Sequence, residues 1–73
     1  EVIKLLLMNG IDIDTQDDRG GTALHRAVKN EDIEIVKLLL DYGSYVNAKD
    51  VWQYTPLNYA VYSEDIEIVK LLL

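Results

Sequence analysis

The chain has 73 residues, 49% of them apolar and 27% charged, and its seven basic and 13 acidic side chains leave a formal charge of −6. That composition describes one small unit with no disulfide or thiolate ligand, because cysteine is absent, and with too few donors for a zinc site, because there is one histidine. The acidic balance disfavours phosphate backbones and anionic lipid surfaces, which call for clustered Lys and Arg, and no apolar run approaches the ~20 residues of a bilayer span.

The chain opens on Glu1, without a basic segment followed by an apolar one, so no targeting signal is visible. Residue 1 is not methionine and Leu73 falls inside an apolar helical pattern, from which the chain is expected to be a segment of a longer array. Cytoplasm is the default location for such a cysteine-free chain.

A shift of 33 residues lays 1–40 on 34–73, and 21 of the 40 paired positions are identical, including all ten of 31–40. Self-similarity at a fixed period of this length points to stacked repeats. In chain order, Gly10 ends a first helix as its left-handed residue. Thr22 caps a short helix whose Leu24, Ala27 and Val28 form one stripe, ending near Asn30. Asp32 caps the next helix, with Glu34 in its first turn. Ile33, Ile35, Val36, Leu38, Leu39 and Leu40 make that helix apolar over more than half its circumference, so it must be covered on two sides.

Gly43 ends this helix, and the stretch to Thr55 carries turn formers without helical period, reading as an extended loop or hairpin. The second copy repeats the grammar: Thr55 as cap, Pro56 at the first helical position, Leu57, Ala60 and Val61 as the stripe, and Asp65 opening the last helix. The expected division is 1–16 as the C-terminal half of a repeat, 17–49 as a complete repeat and 50–73 as a repeat truncated in its second helix.

The hexads Thr22-Ala23-Leu24-His25-Arg26-Ala27 and Thr55-Pro56-Leu57-Asn58-Tyr59-Ala60, the two Glu-Ile-Val-Lys-Leu-Leu-Leu runs and the stretch Gly43 to Asp50 resemble the ankyrin repeat. The resemblance covers all 73 residues. It implies an all-α repeat fold, an ankyrin-type solenoid of antiparallel helix pairs joined by hairpin-like loops, with a concave face that binds proteins and performs no catalysis.

Three departures from the family pattern carry expectations. Gln53 stands where the family has the glycine that Gly20 supplies, which leaves the tip geometry of the second hairpin open. Glu31-Asp32 and Glu64-Asp65 replace Gly-His between the helices, so Asn30 and Ser63 are expected to take the left-handed turn, at some loss of stability. Asn58 replaces the histidine that, by the resemblance, bonds loop backbone across neighbouring repeats.

Little of the remaining chemistry suggests catalysis or ligation. Asp12, Asp14, Asp17 and Asp18 start like a calcium loop, but its sixth position is Asp17 instead of Gly and its twelfth is Ala23 instead of Glu. Asp17 and Asp50 read as turn formers. A glycosidase-like acid and base in the same cluster is disfavoured because adjacent loop carboxylates rarely converge on one substrate. His25 has no Ser or Cys placed as its nucleophile, and Gly20-Gly21 lacks the Lys and length of a phosphate loop. No catalytic residue, metal or cofactor is expected.

The aromatic residues are more informative. Once the repeat's scaffold positions are set aside, the second copy leaves Val51, Trp52 and Tyr54 on its hairpin and Tyr59, Tyr62 and Ser63 on its first helix, sites that the resemblance places on the concave face. Trp and Tyr concentrate binding energy at interfaces. The matching sites of the first copy are Asp18, Arg19, Gly21, Arg26, Lys29 and Asn30. The candidate protein-binding residues are therefore Asp18, Arg19, Arg26, Lys29, Trp52, Tyr54, Tyr59 and Tyr62.

The competing reading packs the aromatics against the next hairpin and makes these repeats a spacer in a longer array. Tyr42 and Tyr45 read as local packing, and the Glu34–Lys37 and Glu67–Lys70 pairs as solvent-side charges worth tenths of a kcal/mol. The expected partner is a protein bound by a monomeric module, with no nucleic acid, membrane or small-molecule substrate.

Overall fold

The computed structural model describes residues 2–10 and 12–73, and for Val2 and Ile3 the backbone only. Five helices form: α1 (Val2–Met8), α2 (Ala23–Lys29), α3 (Ile33–Asp41), α4 (Pro56–Tyr62) and α5 (Ile66–Leu72). Among the described residues there is no strand. Helices of seven to nine residues are far below the ~12–15 that isolated helices need in water, so each depends on its neighbours. α2 packs on α3 and α4, α4 on α5, and α3 on α5, giving two layers of helix. The fold is the all-α repeat that the period predicts.

Every expected cap is in place. Thr22 and Thr55 accept from the amides of His25 and Asn58, and each closes a reciprocal box in which the side chain of His25 or Asn58 accepts from the cap's own amide. Asp32 and Asp65 accept from Ile35 and Ile68. Pro56 stands at the start of α4, where its missing N–H leaves nothing unpaired.

The C-termini correct one expectation. Asn30 and Ser63 stay in right-handed helical geometry as C-caps, and the left-handed position falls one residue later, on Glu31 (φ 55°) and Glu64 (φ 58°). The reason is hydrogen bonding. Glu31 N–H reaches Val28 O and Asp32 N–H reaches Ala27 O, while Glu64 and Asp65 bond Val61 and Ala60 in the same way. α3 ends identically through Gly43 (φ 85°), whose amide bonds Leu40 O while that of Ser44 bonds Leu39 O. This double closure satisfies the last carbonyls of a helix only when the residue after the C-cap is left-handed. Asp32 and Asp65 then finish one helix and cap the next, so the link is short enough to force antiparallel neighbours.

Leu24, Ala27, Val28, Val36, Leu39, Ala60 and Ile68 form the buried centre, joined by Leu7 and Leu72. Val36 and Leu39 are the buried positions of α3, while its Ile33, Ile35, Leu38 and Leu40 are partly covered, so the helix is enclosed on two sides as its composition demands. The two Glu–Lys pairs do not form; the ion pair among the described residues is Arg26–Asp17 at 3.3 Å. Tyr42 and Tyr45 are 40% and 58% exposed, which makes them less packed than the sequence suggests.

Two stability measurements test this account. Leu39→Ala empties a site that is 1% exposed and should cost about 2–5 kcal/mol in a denaturant melt. Glu31→Gly and Glu64→Gly should each stabilise by about 0.5–1 kcal/mol, the left-handed strain of a Cβ being larger than the added chain entropy of glycine. A loss of stability in both glycine variants would place the turn elsewhere.

Candidate functional site

Both hairpin tips are built around an aspartate. Asp17 Oδ1 accepts from the amides of Arg19 and Gly21, each at 2.9 Å, and Asp50 Oδ1 accepts from Trp52 at 2.9 Å and Tyr54 at 3.0 Å. The backbone closes the same turn twice, Asp17 N–H to Gly21 O and Asp50 N–H to Tyr54 O. Gln53 adopts φ 71° where Gly20 has 78°, so the second tip keeps the geometry of the first despite its side chain. Gly20 meets a further demand: a Cβ there would lie 3.0 Å from Asp50 Cα, because Val51 N–H bonds Arg19 O and brings the tips together.

The outer oxygen of each aspartate takes a partner nine residues on. Asp17 Oδ2 pairs with Arg26, whereas Asp50 Oδ2 accepts from the hydroxyl of Tyr59. Two chemistries thus tie the tip to the helix behind it. Asp50 is 4% exposed. Burial pushes its carboxyl up, but the Tyr59 hydroxyl and the amides of Tyr54 and Trp52 outweigh that and hold it below the usual carboxylate value. Asp17 is also lowered, chiefly by the amides of Gly21 and Arg19, with Arg26 adding to them. The Tyr59 phenol is pushed up to about 12 by its bond to Asp50, by burial and by the charge of Asp50.

Tyr59 is the centre of the site. His25 and Tyr54 meet its ring edge-on, at centroid distances of 5.9 and 5.6 Å, and Lys29 Nζ lies 4.5 Å from its centroid. His25 is 1% exposed and structural. The Thr22 amide donates to its Nδ1, so Nε2 carries the proton and donates to Tyr54 O at 2.9 Å, joining α2 to the second hairpin. Asn58 keeps the cap bonds alone.

Arg19, Arg26, Lys29 and Trp52 line one groove between the tips and α2, together with His25 and Asp50. Tyr54, Tyr59 and Tyr62 line an adjoining concavity with Asn58 and Val61. Seven of the eight candidate residues therefore gather on one face. Asp18 does not join them: it is exposed on the first tip and lines neither depression. Tyr59 is half-buried, whereas Trp52 is 53%, Tyr54 50% and Tyr62 89% exposed.

Asp12 acts as a turn residue, its Oδ1 accepting from the Asp14 amide, whereas Asp14 Oδ1 accepts from the Tyr45 amide 31 residues on and so ties one loop to the next. Among the described residues no cluster of three His, Asp or Glu side chains could hold a metal, and no helix is long and apolar enough to cross a membrane.

The Asp50–Tyr59 bond was not anticipated from the sequence. Its one signal is the repeated nine-residue spacing, Asp17 to Arg26 and Asp50 to Tyr59. Tyr59→Phe should cost about 1.5–3 kcal/mol at neutral pH, the usual worth of a bond to an ionised group. A depressed Asp50 contributes stability above the ordinary carboxylate value that is lost as pH falls through its lower folded value; a raised Tyr59 contributes stability present below pH 10 and lost as pH rises through about 12. Absorbance titration should record a phenol ionising near 12 that Tyr59→Phe removes. An unchanged alkaline titration in that variant would refute the assignment.

A family model for ankyrin repeats (3 copies) matches residues 1–73. No individual curated protein matches the chain.

Proposed function

The chain belongs to the ankyrin-repeat family, whose members are generally protein–protein interaction modules and typically not enzymes, and from that premise we propose that it binds a partner protein through the concave face and hairpin tips. Trp52, Tyr54 and Tyr62 are the main contacts, with Arg19, Arg26 and Lys29 at the rim.

The observation that supports this reading is a comparison of the two copies within the chain. Leu24, His25 and Val28 of the first copy are at most 1% exposed. Their counterparts in the second, Leu57, Asn58 and Val61, are partly or fully uncovered, with Val61 at 57%. These are stacking positions, which the second copy covers in the first. Arg19 and Lys29 stay exposed although the second copy is stacked on the first. Their counterparts are Trp52 and Tyr62. Exposure at those two positions is therefore a property of the face and not of an uncovered end, and large aromatic side chains on such a face favour recognition.

Tyr59 is excluded from the test because it holds the hairpin. The triple variant Trp52→Ala, Tyr54→Ala, Tyr62→Ala should keep the wild-type helicity, with a small fall in melting temperature from the lost Tyr54–Tyr59 ring contact, yet fail to retain a specific partner in affinity capture. Retention of every partner would make these repeats a spacer whose binding site lies elsewhere in the array.

A further inference from the structure

The charges of the groove narrow the class of partner, on the premise that this face is the binding face proposed above. Three of the chain's seven Lys and Arg line it: Arg19, Arg26 and Lys29. Arg26 is neutralised by Asp17. The other carboxylate of the lining, Asp50, is engaged by Tyr59 and by the amides of Trp52 and Tyr54. That leaves two cations, Arg19 and Lys29, with no ion-pair partner among the described residues. Lys29 is also held in place, its ammonium 4.5 Å from the centroid of the fixed Tyr59 ring. Trp52 lines the same groove, half exposed.

We propose that the groove takes an acidic peptide segment of a partner protein, with Asp or Glu side chains on Arg19 and Lys29 and a large apolar side chain on Trp52. Tyr54 and Tyr62, in the adjoining concavity, would take a second apolar residue of the same segment. The overall charge of −6 does not oppose this at close range, because charges more than about 8 Å apart are largely screened at physiological ionic strength. It does oppose a nucleic acid, whose dense phosphates need many cations. With three cations and two carboxylates in its lining the groove carries a net charge of +1, which a basic segment would meet.

The test selects a random dodecapeptide display library against the protein. It is repeated with an Arg19→Glu, Lys29→Glu variant and with the Trp52, Tyr54, Tyr62 triple variant, each matched to the wild type in helicity and assayed well below its own melting temperature. Wild-type selections should be enriched in Asp and Glu beside Phe, Trp or Leu. A synthetic peptide of that consensus, titrated through the emission of the single tryptophan, Trp52, should bind about 2- to 30-fold more weakly after charge reversal, the range of two exposed ion pairs. The unmodified protein should show a loss in the same direction when salt is raised well above physiological strength. No enrichment, or enrichment of basic or uncharged proline-rich peptides, overturns the acidic segment. If such peptides still lose binding in the triple variant, the binding face stands and its proposed partner falls. Peptides indifferent to the triple variant overturn both.

Discussion

A hairpin tip with no sheet to join must find partners for its backbone amides elsewhere, and in both repeats a single aspartate supplies them. Asp50 accepts two amides through one oxygen and the Tyr59 hydroxyl through the other, while His25 reaches across from α2 to the carbonyl of Tyr54. The position of Trp52 and Tyr54 follows from that arrangement. Both are exposed side chains on a backbone held from two directions, so they present large apolar area with little ordering left to do on contact. The candidate face depends on a polar framework beneath it.

The helices behind the tips are too short to stand alone, and the structure makes up for this by stacking. Ala27, Leu24 and Val28 are closed off by the second copy, and Val36 and Leu39 by the layer of α5. Each helix pair is also welded by one aspartate that ends the first helix and caps the second. The geometry demands a left-handed residue there, and glutamate fills it twice at a cost in strain. Strain of that kind persists where the surrounding bonds over-determine the turn, and here two backbone bonds and a cap do so.

Repetition supplies an internal comparison. The same position occurs once with a neighbour stacked on it and once without, so changes in burial between copies mark the stacking surface, and exposure that survives in both marks the free face. By this measure Val61 belongs to stacking, and Trp52 and Tyr62 to the free face. Arg26 and Tyr59 belong partly to the framework, since each ties its helix to the aspartate of the preceding tip.

The period of 33, the caps at Thr22, Asp32, Thr55 and Asp65, the helix stops at Gly10 and Gly43 and the apolar stripes were all legible in the chain, because each rests on local rules of a few residues. The left-handed turn was misplaced by one residue because its location depends on which carbonyls the following amides can reach, a property of the closed turn. Gln53 could hold the glycine position because the bonds from Asp50 impose the tip conformation from outside it. Which candidate residues gather on one face, which one stays apart at Asp18, and which serve the framework were decided only when the second hairpin was seated on α2. Sequence spacing specifies elements of period 3.6 and their ends; the bond from Tyr59 to Asp50 and that from His25 to Tyr54 exist only between elements, and three-dimensional packing alone brings them within reach.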